Sequence, residues 1–217
     1  MLELALGRQA GGLRRILCLG AHCDDIEIGC GATVLRLLVE HPGIEVHWVV
    51  FSSDIMRAAE ARQSADLFLA HAGARTVVIH DFRNGFFPYI GASIKEYFER
   101  LKGEVAPDLI LTHHRHDLHQ DHRVVSELTW NTFRDHLILE YEIPKYDGDL
   151  GRPNLFVPLA EAACRQKIDH LLRCFATQKH KHWFTRETFQ ALLRLRGMES
   201  NSPSGYAEAF YSHKLLI

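Results

Sequence analysis

None of the five cysteines, Cys18, Cys23, Cys30, Cys164 and Cys174, stands in a C-x-x-C pair, which excludes a thiolate zinc site or dithiol redox motif of that spacing. The odd, scattered set reads as free thiols in a reducing compartment. No apolar run approaches the roughly 18 residues that a membrane-spanning helix needs. Met1 to Arg14 hold no apolar core of about 7 to 15 residues followed by a small-residue cleavage site, so a cytoplasmic protein without membrane insertion is expected. Charge of one sign is also lacking: 25 Lys and Arg stand against 27 Asp and Glu, which leaves no global reason to bind nucleic acid. There is no internal repeat and no linker, and 217 residues with 47% hydrophobic content suit a single domain over 1–217. The entry in excess is histidine, at 15, and its placement carries more than its number.

The hydrophobic pattern alternates between short buried strands and helical faces. Arg15 to Ala21, Glu45 to Phe51, Thr76 to Ile79 and Pro107 to Thr112 read as strands. Gly29 to Glu40, Arg57 to Ala72 and about Ala92 to Lys102 read as the helices between them. This is the pattern of an α/β protein with a mainly parallel sheet covered on both faces. Right-handed crossovers then place every strand-to-helix loop along one edge. Further on, a helix from Gln120 or Asp121 to about Asp135, a strand from Leu137 to Ile143, a long loop from Tyr146 to Pro158, helices at Glu161 to Phe175 and Arg186 to Arg196, and a closing strand from Tyr206 to Leu216 are expected.

Two of those loops are unusual. Ala21-His22-Cys23-Asp24-Asp25-Ile26-Glu27-Ile28-Gly29-Cys30-Gly31 follows the first strand. A histidine and two carboxylates would be costly inside a core but belong at the carboxyl edge of an α/β sheet, where ligands bind. His22 and Asp25 are three apart, so a turn entering a helix can aim both inward as metal ligands. Asp24 beside them suits a general base. An isolated Asp pair ahead of a helix would read as a cap. The second loop changes that reading: Thr112 to His122 holds five histidines and two aspartates in eleven residues. Within it, His119-x-Asp121-His122 offers a third ligand, an acid/base imidazole and a carboxylate able to orient one of the rings.

The A-H-x-D-D-x-E-x-G-x-G pattern after the first strand, with H-x-D-H after the fourth, resembles the LmbE-like (PIG-L) family of metal-dependent N-acetylglucosamine deacetylases. The resemblance implies a Rossmann-like three-layer αβα sandwich, one zinc ion per chain and removal of an acetyl group from an N-acetylated amino sugar or its conjugate. It assigns His22, Asp25 and His122 to the metal, Asp24 to the general base, His119 to the oxyanion or leaving amine, and Asp121 to holding an imidazole. Cys23, where the family commonly has proline, and Ile26, where many members have glutamate, depart from the pattern and bear on substrate subgroup. Iron(II) suits two histidines and a carboxylate as well as zinc does.

Arg57, Glu60 and Tyr146 are the expected substrate contacts. Glu142, Lys145, Asp147 and Asp149 in the same loop region are expected to help shape the pocket. A small-molecule substrate and a homo-oligomer are expected. Two alternatives stay open. The surplus His113, His114, His116 and Asp117 would serve a two-metal phosphoesterase. A sugar- or nucleotide-binding module with an idle site would share the fold, although Gly29-Cys30-Gly31 followed by Ala32-Thr33-Val34 is an incomplete dinucleotide fingerprint.

Overall fold

Strand β1 (Arg15–Gly20) sends Ile16 and Cys18 into one apolar core and Leu17 and Leu19 into another. A strand buried on both faces reads as a continuous apolar run because helices cover it from both sides. The computed structural model describes residues 12–216; most of the stretch read for a leader therefore lies outside the described residues. After β1 come α1 (Asp25–Glu40), β2 (Glu45–Val50), α2 (Ile55–Phe68), β3 (Ala74–Ile79), α3 (Gly91–Glu104), β4 (Leu109–His113), α4 (Gln120–Thr132), β5 (Leu137–Tyr141), β6 (Leu155–Pro158), α5 (Glu161–Cys174), α6 (Arg186–Glu199) and β7 (Ala207–Tyr211).

These strands form one sheet of seven in the order β3-β2-β1-β4-β5-β7-β6. The first five are parallel, and β7 runs antiparallel to both β5 and β6. Residues of α1, α2, α5 and α6 pack into the core on one face, and residues of α3 and α4 into the core on the other. The expected three-layer, mainly parallel α/β fold is therefore the observed one. From β1 in the interior of the sheet the chain builds outward to β3 and returns to place β4 on the opposite side of β1. The crevice between the loops after β1 and β4 is the switch point where α/β proteins bind ligands.

Three element expectations need correction. Helix α1 begins at Asp25, not Gly29, so Asp25 and Glu27 lie in its first turn, with Glu27 fully buried. The supposed loop from Tyr146 to Pro158 ends in β6, a strand of four residues paired with β7; a Gly-, Pro- and Asp-rich stretch just before it masks so short an apolar run. The closing strand stops at Tyr211.

The glycines of α1 mark close approaches. A Cβ on Gly29 would come within 2.1 Å of the Tyr141 ring on β5, and one on Gly31 would meet Phe68 of α2. Tyr141 has little freedom to yield, because its hydroxyl donates to the Leu19 carbonyl at 2.6 Å. Gly29→Ala is expected to destabilise the protein by about 1–3 kcal/mol, the cost of overpacking a filled core, read as a lower urea midpoint at unchanged m-value. The carboxyl-terminal part of the chain also grips this helix: Glu208 of β7 accepts from the amides of Ala32 (3.1 Å) and Thr33 (2.7 Å), while Lys167 of α5 donates to Glu208 (2.6 Å) and to the Ile28 carbonyl (2.5 Å).

Candidate metal centre

Asp25 opens α1 with its carboxylate turned back on the β1 loop, where Oδ2 accepts from the His22 amide at 2.6 Å. Asp24, at the N-cap position, makes no side-chain cap bond, so capping does not account for the acid pair. His22 Nδ1 stands 3.3 Å from Asp25 Oδ2 and 3.2 Å from His122 Nε2, and the last two are 3.5 Å apart. Ligand atoms of a tetrahedral zinc with bonds of about 2.0–2.1 Å stand roughly 3.3–3.4 Å from one another. The three side chains expected to hold a metal therefore already converge at the right spacing, although two of them belong to a loop and helix distant in sequence from the third.

The outer nitrogen of each imidazole meets a carboxylate. His22 Nε2 lies 3.2 Å from Asp121 Oδ2, and His122 Nδ1 lies 3.0 Å from Asp117 Oδ2. Such contacts fix the tautomer and the ring plane of a metal-ligating histidine. Asp121 does hold an imidazole, that of His22, and it also accepts from the amides of Gly85 (2.6 Å) and Phe87 (3.1 Å), which anchors the loop after β3 beneath the site. Asp117 does the same for His122, a role the sequence pattern did not single out. More widely, donor atoms of His22, His119 and His122, and of Asp25, His113 and His122, lie within 4.8 Å of one another.

Electrostatics follow from this crowding. Burial works to raise the Asp25 carboxyl, but His122, His113 and His22 hold it well below the usual range. Burial works to lower His22, yet Asp25 and Asp121 push it up to about 9. Burial and the neighbouring His113 push His122 down to about 3, against the pull of Asp25 and Asp117.

His119 caps α4, its Nδ1 accepting from the Asp121 amide at 3.2 Å. Its ring stacks on His122 with centroids 4.6 Å apart and meets His22 edge-on at 4.8 Å. With Nδ1 engaged as acceptor, the proton of the neutral ring sits on Nε2. Burial and the neighbouring His22 hold His119 below the ordinary imidazole range. Asp24 pairs instead with Arg57, whose Nη2 donates to Oδ1 at 2.8 Å. Burial raises the Asp24 carboxyl although Arg57 opposes the shift. Among the described residues, Arg57 Nε is buried without a partner.

The remaining expected residues divide. Both oxygens of Glu60 are taken by Thr177, from its amide at 2.9 Å and its hydroxyl at 2.6 Å, so this side chain ties α2 to the turn after α5. Tyr146 is 72% exposed in the loop after β5. Glu142 forms a buried two-pronged pair with Arg196 of α6 at 2.6 and 2.7 Å, whereas Lys145 reaches Asp117 at 3.0 Å.

The surplus of the histidine-rich loop is engaged. His113, stacked on His122 at 3.9 Å, accepts at Nε2 from the Ala21 amide at 2.9 Å. His114 bonds Glu140 at 2.9 Å and stacks on Tyr211, and His116 is exposed. Among the described residues the two donor groups share His122, which favours one metal over the two of a phosphoesterase.

Glu140 anchors this loop by accepting from the Arg115 amide (3.1 Å) and Nε (3.1 Å) and from Trp130 Nε1 (2.5 Å), with His114 Nδ1 and His213 Nε2 also in contact. Burial would raise its carboxyl, but His114, the Arg115 amide, Trp130 and His213 draw it from 4.5 down to about 2. The folded state then binds fewer protons than the unfolded one, so the stabilisation is complete above about pH 4.5 and is lost as pH falls towards about 2. Glu140→Gln is expected to cost roughly 3 kcal/mol near neutrality. The gap to wild type should narrow in urea titrations below about pH 4.5.

Fold and site together define an α/β protein whose switch-point loops carry a His/Asp cluster that could hold a metal ion. The family model described as GlcNAc-PI de-N-acetylase matches residues 17–133, a span that includes both halves of the cluster. The chain belongs to this PIG-L deacetylase family. It is 30% identical over 156 residues to the Escherichia coli (strain K12) protein called uncharacterized deacetylase YaiS, covering 66% of this chain and 82% of that one. The N,N'-diacetylchitobiose deacetylase of Pyrococcus horikoshii is similar in fold, with a TM-score of 0.65 at 18% identity over 93% of this chain and 84% of that one. So is GalB, the 4-carboxy-2-hydroxymuconate hydratase of Pseudomonas putida KT2440, with a TM-score of 0.68 at 17% identity over 94% and 98%. Those two names differ in reaction, so the architecture alone does not choose the chemistry.

Proposed function

We propose that this chain is a hydrolase that removes the acetyl group from an N-acetylated amino sugar or its conjugate, using one zinc ion held by His22, Asp25 and His122. The observation that carries the reading is the mutual spacing of 3.2–3.5 Å among the three donor atoms, together with a carboxylate behind each imidazole. Zinc, when bound, supplies an acidified water and polarises the acetyl carbonyl, and iron(II) would fill the same donor set.

The protein's own groups supply the rest. Asp24, buried and raised in pKa, takes the proton of the attacking water, since a base works best when its pKa lies near the working pH. The Nε2–H of His119 donates a hydrogen bond to the oxyanion, and the proton that Asp24 has taken from the water passes to the departing amine; one such oxyanion donor is worth roughly 10²–10³ in rate. Asp121 and Asp117 hold the two ligand rings. The unpartnered Arg57 Nε is the donor we assign to a sugar hydroxyl or phosphate.

The sugar class is supported by the family description and by the name of the Pyrococcus relative. Among the described residues no helix is long and apolar enough to cross a membrane. All five cysteines are free and buried, which supports a reducing compartment and hence the cytoplasm. The test is acetate release from a panel of N-acetylhexosamine glycosides, phosphates and nucleotide-sugars by metal-reconstituted protein. Protein with one metal per chain that releases no acetate from any of them overturns the proposal.

A further inference from the structure

We propose that Lys145 is a positioning residue of the metal centre, fixing the carboxylate of Asp117 that in turn holds His122. The inference rests on the reading of His122 as a ligand. Asp117 is met from three directions: Oδ1 accepts from the His119 amide at 2.8 Å, and Oδ2 lies 3.0 Å from His122 Nδ1 and 3.0 Å from Lys145 Nζ. Lys145 is clamped in turn by Asp149, whose Oδ2 also accepts from the Leu118 amide at 2.7 Å. The three side chains are almost dry, at 9% exposure for Lys145, 7% for Asp149 and 3% for Asp117.

The arrangement has a direction. Gly148, at φ +63°, turns the loop after β5 so that Lys145 and Asp149 close it on themselves, and both then dock onto the β4–α4 loop. An aspartate facing an imidazole can rotate away about its side-chain torsions. One whose second oxygen is pinned by an amide and whose first is shared with a desolvated ammonium has no equivalent alternative. Without the ammonium, Asp117 and Asp149 would be two nearly buried carboxylates with no counter-charge between them, an arrangement that favours rearrangement. Loosening Asp117 loosens the ring plane of His122, and groups behind a ligand typically matter 10–100-fold in metal affinity.

A loop strap with no bearing on the metal would look similar in the fold, so the test separates the two. Metal-free wild type, Lys145→Met, Asp149→Asn, Asp117→Asn and the Lys145→Met/Asp117→Asn double variant are titrated with zinc against a chromophoric chelator. Thermal melts of the metal-free proteins report folding separately. Lys145→Met is expected to weaken zinc binding about tenfold or more, and Asp117→Asn about 10–100-fold. The double variant should be no weaker than Asp117→Asn alone, because Lys145 acts through that carboxylate. Asp149→Asn should show a smaller loss than Lys145→Met, and it carries the test if Lys145→Met fails to fold. Wild-type affinity in both loop variants, or costs that add in the double variant, overturns the inference. Wild-type protein that binds no zinc overturns the metal-centre reading and this inference with it.

Discussion

Replacing Asp24 by asparagine is expected to lower acetate release by about 10²–10⁴-fold, the usual contribution of a general base, while the protein retains its metal. Asparagine keeps an oxygen where Oδ1 now accepts from Arg57 at 2.8 Å, so the β1 loop and the start of α1 need not move. What it removes is the capacity to take a proton. The burial that raises the Asp24 carboxyl brings it towards the working pH of such a base, and none of the three ligand atoms belongs to it. Metal content measured beside turnover is decisive: a variant that keeps more than a tenth of wild-type activity, or that loses its metal, removes Asp24 from the role of base.

His122→Ala should have the opposite signature, with metal and activity lost together. His122 Nε2 faces the atoms of both other proposed ligands, at 3.2 Å from His22 Nδ1 and 3.5 Å from Asp25 Oδ2. If binding worth about 10–16 kcal/mol is shared among four ligands, each supplies about 2.5–4 kcal/mol, a loss of roughly 70- to 900-fold in affinity. The substitution also leaves Asp117 and Lys145 in place with no ring to hold. Chelator competition reads this directly, and an alanine variant with wild-type zinc affinity would show that the ion sits elsewhere in the cluster.

The parallel half of the sheet was legible because strands buried on both faces leave continuous apolar runs, as Ile16 to Leu19 and Leu109 to Leu111 do. The start of α1 was not, because Asp25 and Glu27 look like loop residues until the helix is seen to begin at the site and to carry them into the interior. Strand β6 was hidden by its length and by the turn-rich residues ahead of it. At the site, spacing and position after strands marked His22, Asp25 and His122 as candidates, and their donor atoms converge. The division of labour between Asp117 and Asp121 did not. Both carboxylates lie close to His122 in sequence, and only the direction of α4 sends Asp121 to His22 and leaves Asp117 for His122. Lys145 carried no signal at all for its contact with Asp117, because that contact depends on how two separate loops dock. Arg57 was marked for substrate, and its pairing with Asp24 appears only once the loops after β1 and β2 are side by side.

The adjacency of β1 and β4 also bears on how the protein reaches its native state. The ring nitrogens of His22 and His122 proposed to hold the metal come from residues 100 apart in the chain, and they meet only after β1 has paired with a strand that is formed much later in synthesis. Contacts of such long range are among the slower ones to establish. An ion therefore has no complete set of donors in a nascent or partly folded chain, and cannot seed this sheet. It can lock the sheet once the strands have found each other, so the rate at which refolding protein acquires zinc should follow the slow closure of the β1–β4 pair and not the faster formation of its helices.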